Sequence, residues 1–159
     1  MIDYNEQGMD QRMAEIENMG VIRRVFAFVQ TRGEGGNFAE RWAAYSELYD
    51  PDVTIHEAPS LPYGGDYASP DALAKHAQGF QAAWDGLQPE GERSMEPRFF
   101  ASGDEVAVLW RLRAKREDGA SLDMPAMSLY RLKDRKVVES RMFTFDAAAV
   151  SAFLPPARC

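Results

Sequence analysis

A carboxylate at the end of an apolar strand pattern is the residue best placed to do chemistry. Val53, Ile55 and Glu57 alternate with Thr54 and His56, and period-two alternation puts the first three side chains on one face of a strand. If the aliphatic pair faces a core, the Glu57 carboxylate lies at a pocket mouth and could act as a general base. A glutamate at a strand end could equally be solvated or cap a backbone amide, so both interpretations stay open.

The chain contains two histidines, His56 and His76. In a regular strand His56 points away from Glu57, which favours a packing or interface role, although a twist or bulge at Pro59 would turn it inward as a second catalytic candidate. His76 lies in a helical pattern beside Phe80, which indicates a partly exposed helix residue. Neither histidine has a carboxylate four residues later or a cysteine nearby, so no metal site is predicted.

Tyr63 precedes a pair of glycines, Gly64 and Gly65, in the segment after this strand. Paired glycines can cradle phosphate, but neither a strand-to-helix fingerprint nor a lysine accompanies them, so nucleotide binding is not predicted and no cofactor is expected. The glycines more simply allow a tight crossing over the pocket rim. Tyr63 would then form a hydrogen-bonding wall and is the third catalytic candidate.

Three helices are predicted to position these side chains. Helical spacing of apolar residues predicts an amphipathic helix over about 9–32. Asn37 with Glu40 forms a capping pair for a second helix. The segment 69–71, Ser-Pro-Asp, predicts the start of a third helix, which should end at Gly86.

The second half of the chain changes to period-two patterning. Residues 106–112 alternate as a two-faced strand, and Asp118-Gly119 is a hairpin signal. Strands over about 121–132 and 136–145 are expected to follow. Pro125 cannot donate to a sheet ladder, which implies an edge position or a bulge there.

Charged side chains on these strands are expected mainly on the outer face. Arg111, Arg113 and Arg131 should pair there with acids of a neighbouring strand or of a partner. Glu139 and Arg141 share a face at spacing two and could form either an inward anion clamp or an ordinary surface ladder.

Composition indicates one ordinary domain over residues 1–159, with a core over about 10–153 and short tails at 1–9 and 154–159. The formal charge of −7 argues against nucleic acid and an anionic membrane surface as partners. Cys159 is the single cysteine, so no internal disulfide or thiolate metal site is possible. The acidic start of the chain lacks the basic and apolar regions of a secretory signal, so a cytoplasmic location is expected.

Two segments resemble a known superfamily. Residues 136–150, KVVESRMFTFDAAAV, combine a charged turn, an alternating strand and an aromatic-aspartate step into a short helix. They resemble the closing strand of the barrels related to nuclear transport factor 2, ketosteroid isomerases and SnoaL-type polyketide cyclases, and VTIHEAPSLPYGGDY at 53–67 resembles the corner after their first strand. The resemblance implies an α+β fold: a cone-shaped, curved, mixed but largely antiparallel sheet closed by three helices of the N-terminal half, the cystatin-like α+β barrel. It also implies a homodimer built on the outer sheet face.

The same resemblance bears on the chemistry. Matching YDPDVTIHEAP to the ketosteroid isomerase pattern places Glu57 where that family keeps its proton-shuttling aspartate. The oxyanion partners of that family are absent, because Ser128 and either Val25 or Phe26 occupy the corresponding positions. Steroid isomerisation is therefore not predicted.

The epoxide hydrolase branch of the fold is not matched either. Limonene epoxide hydrolases use an Arg-x-Asp step that falls near Trp110 and Leu112 here, and a second aspartate that falls at Met142 or Phe143. None of these four residues is a carboxylate, so the charges needed around the attacking water are missing.

The sequence thus predicts a pocket for a small apolar organic molecule, because aromatic and methionine walls with few polar groups suit such a ligand. An enzyme of this kind would be a cofactor-independent isomerase, cyclase or dehydratase with Glu57 as base and Tyr63 or Ser128 orienting a carbonyl. The alternative is a non-catalytic binding or association module of the same fold, which the missing oxyanion partners favour. The expected ligand-binding residues are Phe26, Trp42, Ile55, Phe80, Trp110, Met124, Ser128, Tyr130 and Phe143.

Overall fold

The chain folds into helices packed against one curved, six-stranded sheet. The computed structural model describes residues 4–31, 35–68, 70–89 and 94–155. In chain order the elements are α1 (Tyr4–Thr31), α2 (Phe38–Ser46), β1 (Tyr49–Glu57), β2 (Gly65–Tyr67), α3 (Ala72–Trp84), β3 (Arg98–Ser102), β4 (Glu105–Lys115), β5 (Ser121–Lys133), β6 (Lys136–Thr144) and α4 (Ala147–Phe153). Within the described ranges, no helix is both long enough and apolar enough to cross a membrane.

The start of α2 follows local capping chemistry. The Asn37 side-chain oxygen accepts from the backbone nitrogens of Ala39 and Glu40 at 3.0 and 3.4 Å, and its amide donates to the Glu40 carboxylate at 3.1 Å. The predicted capping pair of α2 is therefore confirmed. Asp71 takes the N-cap position of α3, whereas Ser69 lies outside the described residues. Helix α1 begins at Tyr4, about five residues before the predicted start.

The strand order across the sheet is β2-β1-β6-β5-β4-β3. Each pair of neighbours is antiparallel except β1 and β6, which run parallel, so the sheet is mixed. The hairpin between β5 and β6 turns at Asp134 and Arg135, whose φ values of 50° and 62° match a two-residue turn with both central residues left-handed. The predicted fold class, an α+β barrel with a curved sheet closed by helices, is confirmed.

Pro125 lies where β5 has one neighbour instead of two. It pairs with Arg111 of β4, while the last pair between β5 and β6 joins Ala126 to Thr144. The Pro125 carbonyl accepts from the Phe145 nitrogen at 3.3 Å, so the side that lacks an N–H faces past the end of β6. β5 is an inner strand, but Pro125 has no paired residue in β6, as the predicted edge position requires. Its missing N–H therefore leaves no gap in the hydrogen-bond ladder.

The inner face of the sheet is apolar and the outer face is charged. Val106, Val108, Trp110 and Leu112 of β4 are buried beneath the helices, as the alternating pattern predicts. On the outer face Arg111 pairs with Asp123, Arg113 with Glu96 and Arg131 with Glu139, at N–O distances of 2.6–2.8 Å. Such exposed pairs contribute about 1 kcal/mol or less each, so apolar burial on the inner face is the main source of stability.

Candidate functional site

A cavity lies between the inner face of the sheet and helices α1, α2 and α3, with a volume of about 130 Å³. The exposed side chains of Phe38 and Gln81 stand at its rim. An apolar cavity of about 150 Å³ holds one benzene ring, so the enclosed space suits a single small ring. The aromatic side chains that wall it within the described residues are Phe28, Phe38, Trp42, Tyr45, Tyr49, Phe80, Trp110 and Tyr130.

The Glu57 carboxylate is buried and bonded to His76. Its side chain is 3% exposed, and its Oε1 lies 2.7 Å from Nε2 of His76, which is 16% exposed. Glu57 is the last residue of β1, and His76 lies in the second turn of α3, which packs over the end of that strand. His76 lines the cavity, whereas Glu57 is not among the lining residues. The carboxylate therefore lies behind the imidazole, and the imidazole is the group that a ligand meets.

This arrangement prepares an imidazole for proton transfer. A carboxylate that accepts one ring N–H fixes the tautomer and orientation of a histidine and stabilises the imidazolium formed when the ring takes a second proton. An ionised carboxylate can only accept, so in the tautomer that suits this bond Nε2 carries the proton and Nδ1 is the nitrogen that remains to accept one. The rings of Tyr67, Tyr63 and Phe80 surround the imidazole at centroid distances of 5.4, 6.4 and 6.2 Å, which restricts its movement.

Tyr63 lies behind this pair and not on the cavity wall. Its hydroxyl accepts from the Trp84 indole nitrogen at 3.1 Å, and its backbone carbonyl accepts from the Tyr67 hydroxyl at 2.7 Å. Burial, reinforced by the Glu57 charge, holds the pKa of Tyr63 well above its usual range. Gly79 of α3 permits the close approach, since a Cβ there would lie 3.2 Å from Cβ of Tyr63. Tyr63 thus supports the ring of His76 from the side.

His56 points to the opposite face of β1, away from the cavity. Its Nδ1 lies 2.7 Å from Asp66, and its Nε2 lies 3.4 Å from Glu139. Glu139 also pairs with Arg131 and Arg141. The predicted outward direction of His56 is confirmed, and Glu139 with Arg141 forms the surface ladder and not an inward clamp. Although His56 and Glu57 are both catalytic candidates from the sequence, the structure puts them on opposite faces of β1.

Five of the expected ligand-binding residues line the cavity: Trp42, Ile55, Phe80, Trp110 and Tyr130. Phe26 and Ser128 are buried behind the wall. The Phe26 ring packs edge-on against Trp110 and Tyr130, at 6.3 Å from each, and the Ser128 hydroxyl accepts from the Trp110 indole at 2.9 Å. These two residues orient wall side chains and do not form the wall.

Phe143 corrects the expected lining. It is 46% exposed on the outer face of β6, because Ser140 and Met142 are the residues of that strand that turn toward the cavity. The twofold alternation of β6 therefore gives this part of the wall to Met142. Met124 is buried in β5 but is not among the lining residues either.

The sequence patterns did not reveal two features of this site. His76 was predicted as an ordinary helix residue, and no local spacing connects it to Glu57, which lies nineteen positions earlier on another element. Tyr45 and Tyr49 line the cavity with their hydroxyl oxygens 3.0 Å apart. Their spacing of four residues spans a helix end and a strand start, so neither helical nor strand periodicity places them together. Across the described ranges, no group of three or more His, Cys, Asp or Glu residues is arranged to hold a metal ion.

Comparison with known structures finds the same architecture in many proteins. A protein of unknown function with a cystatin-like fold from Xanthomonas campestris is 20% identical, with a TM-score of 0.68 over 89% of this chain and 98% of that one. A protein from Jannaschia Sp. CCS1, provisionally named a SnoaL-like polyketide cyclase, is 22% identical, with a TM-score of 0.62 over 90% and 96% of the two chains. TerC, co-crystallised with polyporic acid, is 16% identical, with a TM-score of 0.65 over 84% and 94%.

At these identities the likeness concerns the fold alone. A comparison with curated proteins found no match to this chain. A family description does match: residues 22–140, well over half of the sequence, fit the SnoaL-like domain. The chain belongs to the family of SnoaL-like domains.

Proposed function

We propose that this protein converts a small apolar organic molecule by proton transfer, without a cofactor, as an isomerase, cyclase or dehydratase. The observation that carries the proposal is the 2.7 Å bond between buried Glu57 and His76 at the wall of an aromatic cavity. A buried carboxylate–imidazole pair is expensive to desolvate and contributes little net stability compared with apolar packing, so its presence in a cavity favours a chemical role. Because the chain has a single cysteine and so no internal disulfide, we place this activity in the cytoplasm.

His76 and Glu57 have different roles in this mechanism. His76 Nδ1 takes a proton from a carbon next to a ligand carbonyl, and the C–H electron pair moves into the enolate. Glu57 holds the imidazolium that results. Return of the proton to another carbon completes an isomerisation, whereas its delivery to a leaving hydroxyl releases water and completes a dehydration. Proton transfer therefore passes through His76, with Glu57 as the residue that positions it.

The structural neighbours support a small organic ligand. The Jannaschia protein carries the provisional name of a polyketide cyclase, and TerC was co-crystallised with polyporic acid. These statements concern those two proteins, and the shared fold makes a similar ligand class a reasonable proposal here. The alternative function is a binding module without catalysis, which the predominance of aromatic side chains in the cavity wall favours.

Proton exchange distinguishes the two functions. Wild type, Glu57→Gln, His76→Gln and His56→Gln are compared for deuterium exchange into a panel of small enolisable ketones. We expect exchange to fall by about 10² or more in the first two variants, the usual contribution of a general base. His56→Gln, on the outer face, should match wild type and serves as the control. Equal exchange in all four proteins would remove the pair from the mechanism, and exchange absent from all four would favour the binding module.

We further propose that a second copy of this chain covers the outer sheet face. Met127 of β5 pairs with Leu109 of β4 on one side and with Phe143 of β6 on the other, and Phe100 of β3 is exposed on the same face. Phe100, Met127 and Phe143 are 54%, 39% and 46% exposed. An apolar strip bordered by paired charges of both signs is suited to an isologous contact, in which each copy meets the same strip on its partner.

A further inference from the structure

Three buried tyrosines belong to the wall of the cavity. Tyr45 of α2, Tyr49 of β1 and Tyr130 of β5 all line it, with exposures of 9%, 6% and 4%. They come from three separate elements, so their meeting is a product of the tertiary fold. In a wall made otherwise mainly of apolar side chains, they form a second polar group beside His76.

Tyr45 and Tyr49 together have one phenol proton that is not used in the hydrogen bond between them. The hydroxyl oxygens of Tyr45 and Tyr49 are 3.0 Å apart, so one of the two O–H groups donates to the other. Each phenol has a single proton, and within the described part of the chain the second proton of this pair has no protein acceptor. A buried hydroxyl proton without an acceptor is unfavourable, because it has lost its hydrogen bond to water. A ligand oxygen in the cavity would accept that proton.

Tyr130 adds a third phenol to this group, because it lines the same cavity. Burial is the main cause that raises the pKa of Tyr130 above its usual range, and a hydrogen bond with Ser128 opposes it. Burial also raises the pKa of Tyr45 to about 12. All three phenols therefore stay protonated at neutral pH and remain donors. Fixed donors in a space that excludes water stabilise negative charge as it develops on an oxygen.

We propose that Tyr45, Tyr49 and Tyr130 form the oxygen-binding end of the cavity, and that its ligand is a neutral, single-ring ketone or phenol. The ring lies between the aromatic walls and its oxygen accepts from the tyrosine hydroxyls. In a ketone, the acidic hydrogen on the carbon next to the carbonyl then faces His76. The role of His76 in this arrangement rests on the proposed function, whereas the oxygen site does not. A ligand with a permanent negative charge is disfavoured, because the buried Glu57 carboxylate lies behind His76, which lines the same cavity.

A pair of matched probes tests this site without requiring turnover. 4-Fluorophenol carries one ring and one oxygen, and fluorobenzene is the same ring without the oxygen; both are titrated by ¹⁹F NMR. Wild type should bind 4-fluorophenol at least ten times more tightly than fluorobenzene. The double variant Tyr45→Phe with Tyr49→Phe, which removes both protons of the pair, and the single variant Tyr130→Phe should reduce this preference to threefold or less and leave the affinity for fluorobenzene unchanged. His76→Gln should retain most of the preference.

Several outcomes of this titration would contradict the proposal. The proposal is overturned if wild type binds neither probe or shows no preference, if the double variant and Tyr130→Phe keep the preference, or if His76→Gln alone abolishes it. Tyr→Phe substitutions preserve ring packing, and melting temperatures within a few degrees of wild type establish that the fold is intact. Tyr45→Phe and Tyr49→Phe alone each leave one phenol proton of the pair unused, so each should keep most of the preference and serves as the matched control for the double variant. If ketone exchange is absent while the tyrosine-dependent preference remains, catalysis fails and the oxygen site stands.

Discussion

Replacing His76 by leucine should destabilise the protein far more than the same change at His56. Both histidines bind a carboxylate at an N–O distance of 2.7 Å, so the two pairs share their contact geometry. Their surroundings differ, because the Glu57 side chain is 3% exposed and that of Asp66 is 73% exposed. Burial is therefore the main variable between the two substitutions.

The magnitudes follow from this difference. His76→Leu leaves the Glu57 carboxylate buried without its partner, which costs about 3–5 kcal/mol of unfolding free energy when a buried pair is broken from one side. For a domain of this size that loss lowers the melting temperature by roughly 6–20 °C. His56→Leu leaves Asp66 in water, where an exposed pair is worth about 0–1 kcal/mol. It also removes the 3.4 Å contact with Glu139, but that carboxylate keeps Arg131 and Arg141 as partners.

The measurement is urea unfolding at pH 7.5, with wild type and both variants at equal protein concentration. The double variant Glu57→Met with His76→Leu provides the rescue, since replacing both members of a buried pair by apolar side chains of similar size is often neutral or stabilising. We expect the double variant to recover most of the stability lost in His76→Leu. Equal losses for His76→Leu and His56→Leu, or a double variant no more stable than His76→Leu, would refute the idea that a buried charge dominates this site.

Three further predictions concern assembly, alkaline stability and capping. Light scattering at micromolar concentration should give twice the chain mass of 17.9 kDa, and Phe143→Glu should give the monomer because it puts a charge in the apolar strip. Unfolding free energy should fall as pH rises from 10 to 12, because Tyr45 ionises first in the unfolded chain; a shift from 10 to about 12 corresponds to about 3 kcal/mol. Urea unfolding against pH should show a shallower fall in Tyr45→Phe. Asn37→Ala should cost about 1 kcal/mol in thermal unfolding, and Asn37→Asp much less, because aspartate also caps a helix start.

A different result would contradict each of these three predictions. A monomer mass for wild type would exclude a stable dimer on the outer face. Stability that stays level between pH 10 and 12, or falls equally in Tyr45→Phe, would show that this phenol is not protected from ionisation by burial. Equal losses in Asn37→Ala and Asn37→Asp would mean that the side-chain oxygen does not cap α2.

Local pattern alone predicted α1 to α3, β1 and β4 to β6, although not β2 or β3, and it gave Glu57 the same strand parity as Ile55. Asn37 with Glu40 predicted the start of α2, and Asp118-Gly119 predicted a hairpin whose glycine has φ of 89°. The shared parity of Glu57 with Ile55 placed its side chain on the buried face of β1. These features depend on the dihedral preferences and side-chain alternation of a few neighbouring residues, which a sequence displays directly.

The tertiary structure decided what those side chains meet. His76 reaches Glu57 because α3 packs over the end of β1, and Tyr130 joins Tyr45 because β5 and α2 face the same cavity. Phe143 faces outward because the register of β6 assigns Met142 to the wall. Contacts of this kind depend on strand order, on the parallel pairing of β1 with β6 and on the curvature of the sheet. No short segment encodes these properties, because they arise when the whole chain buries its apolar faces together.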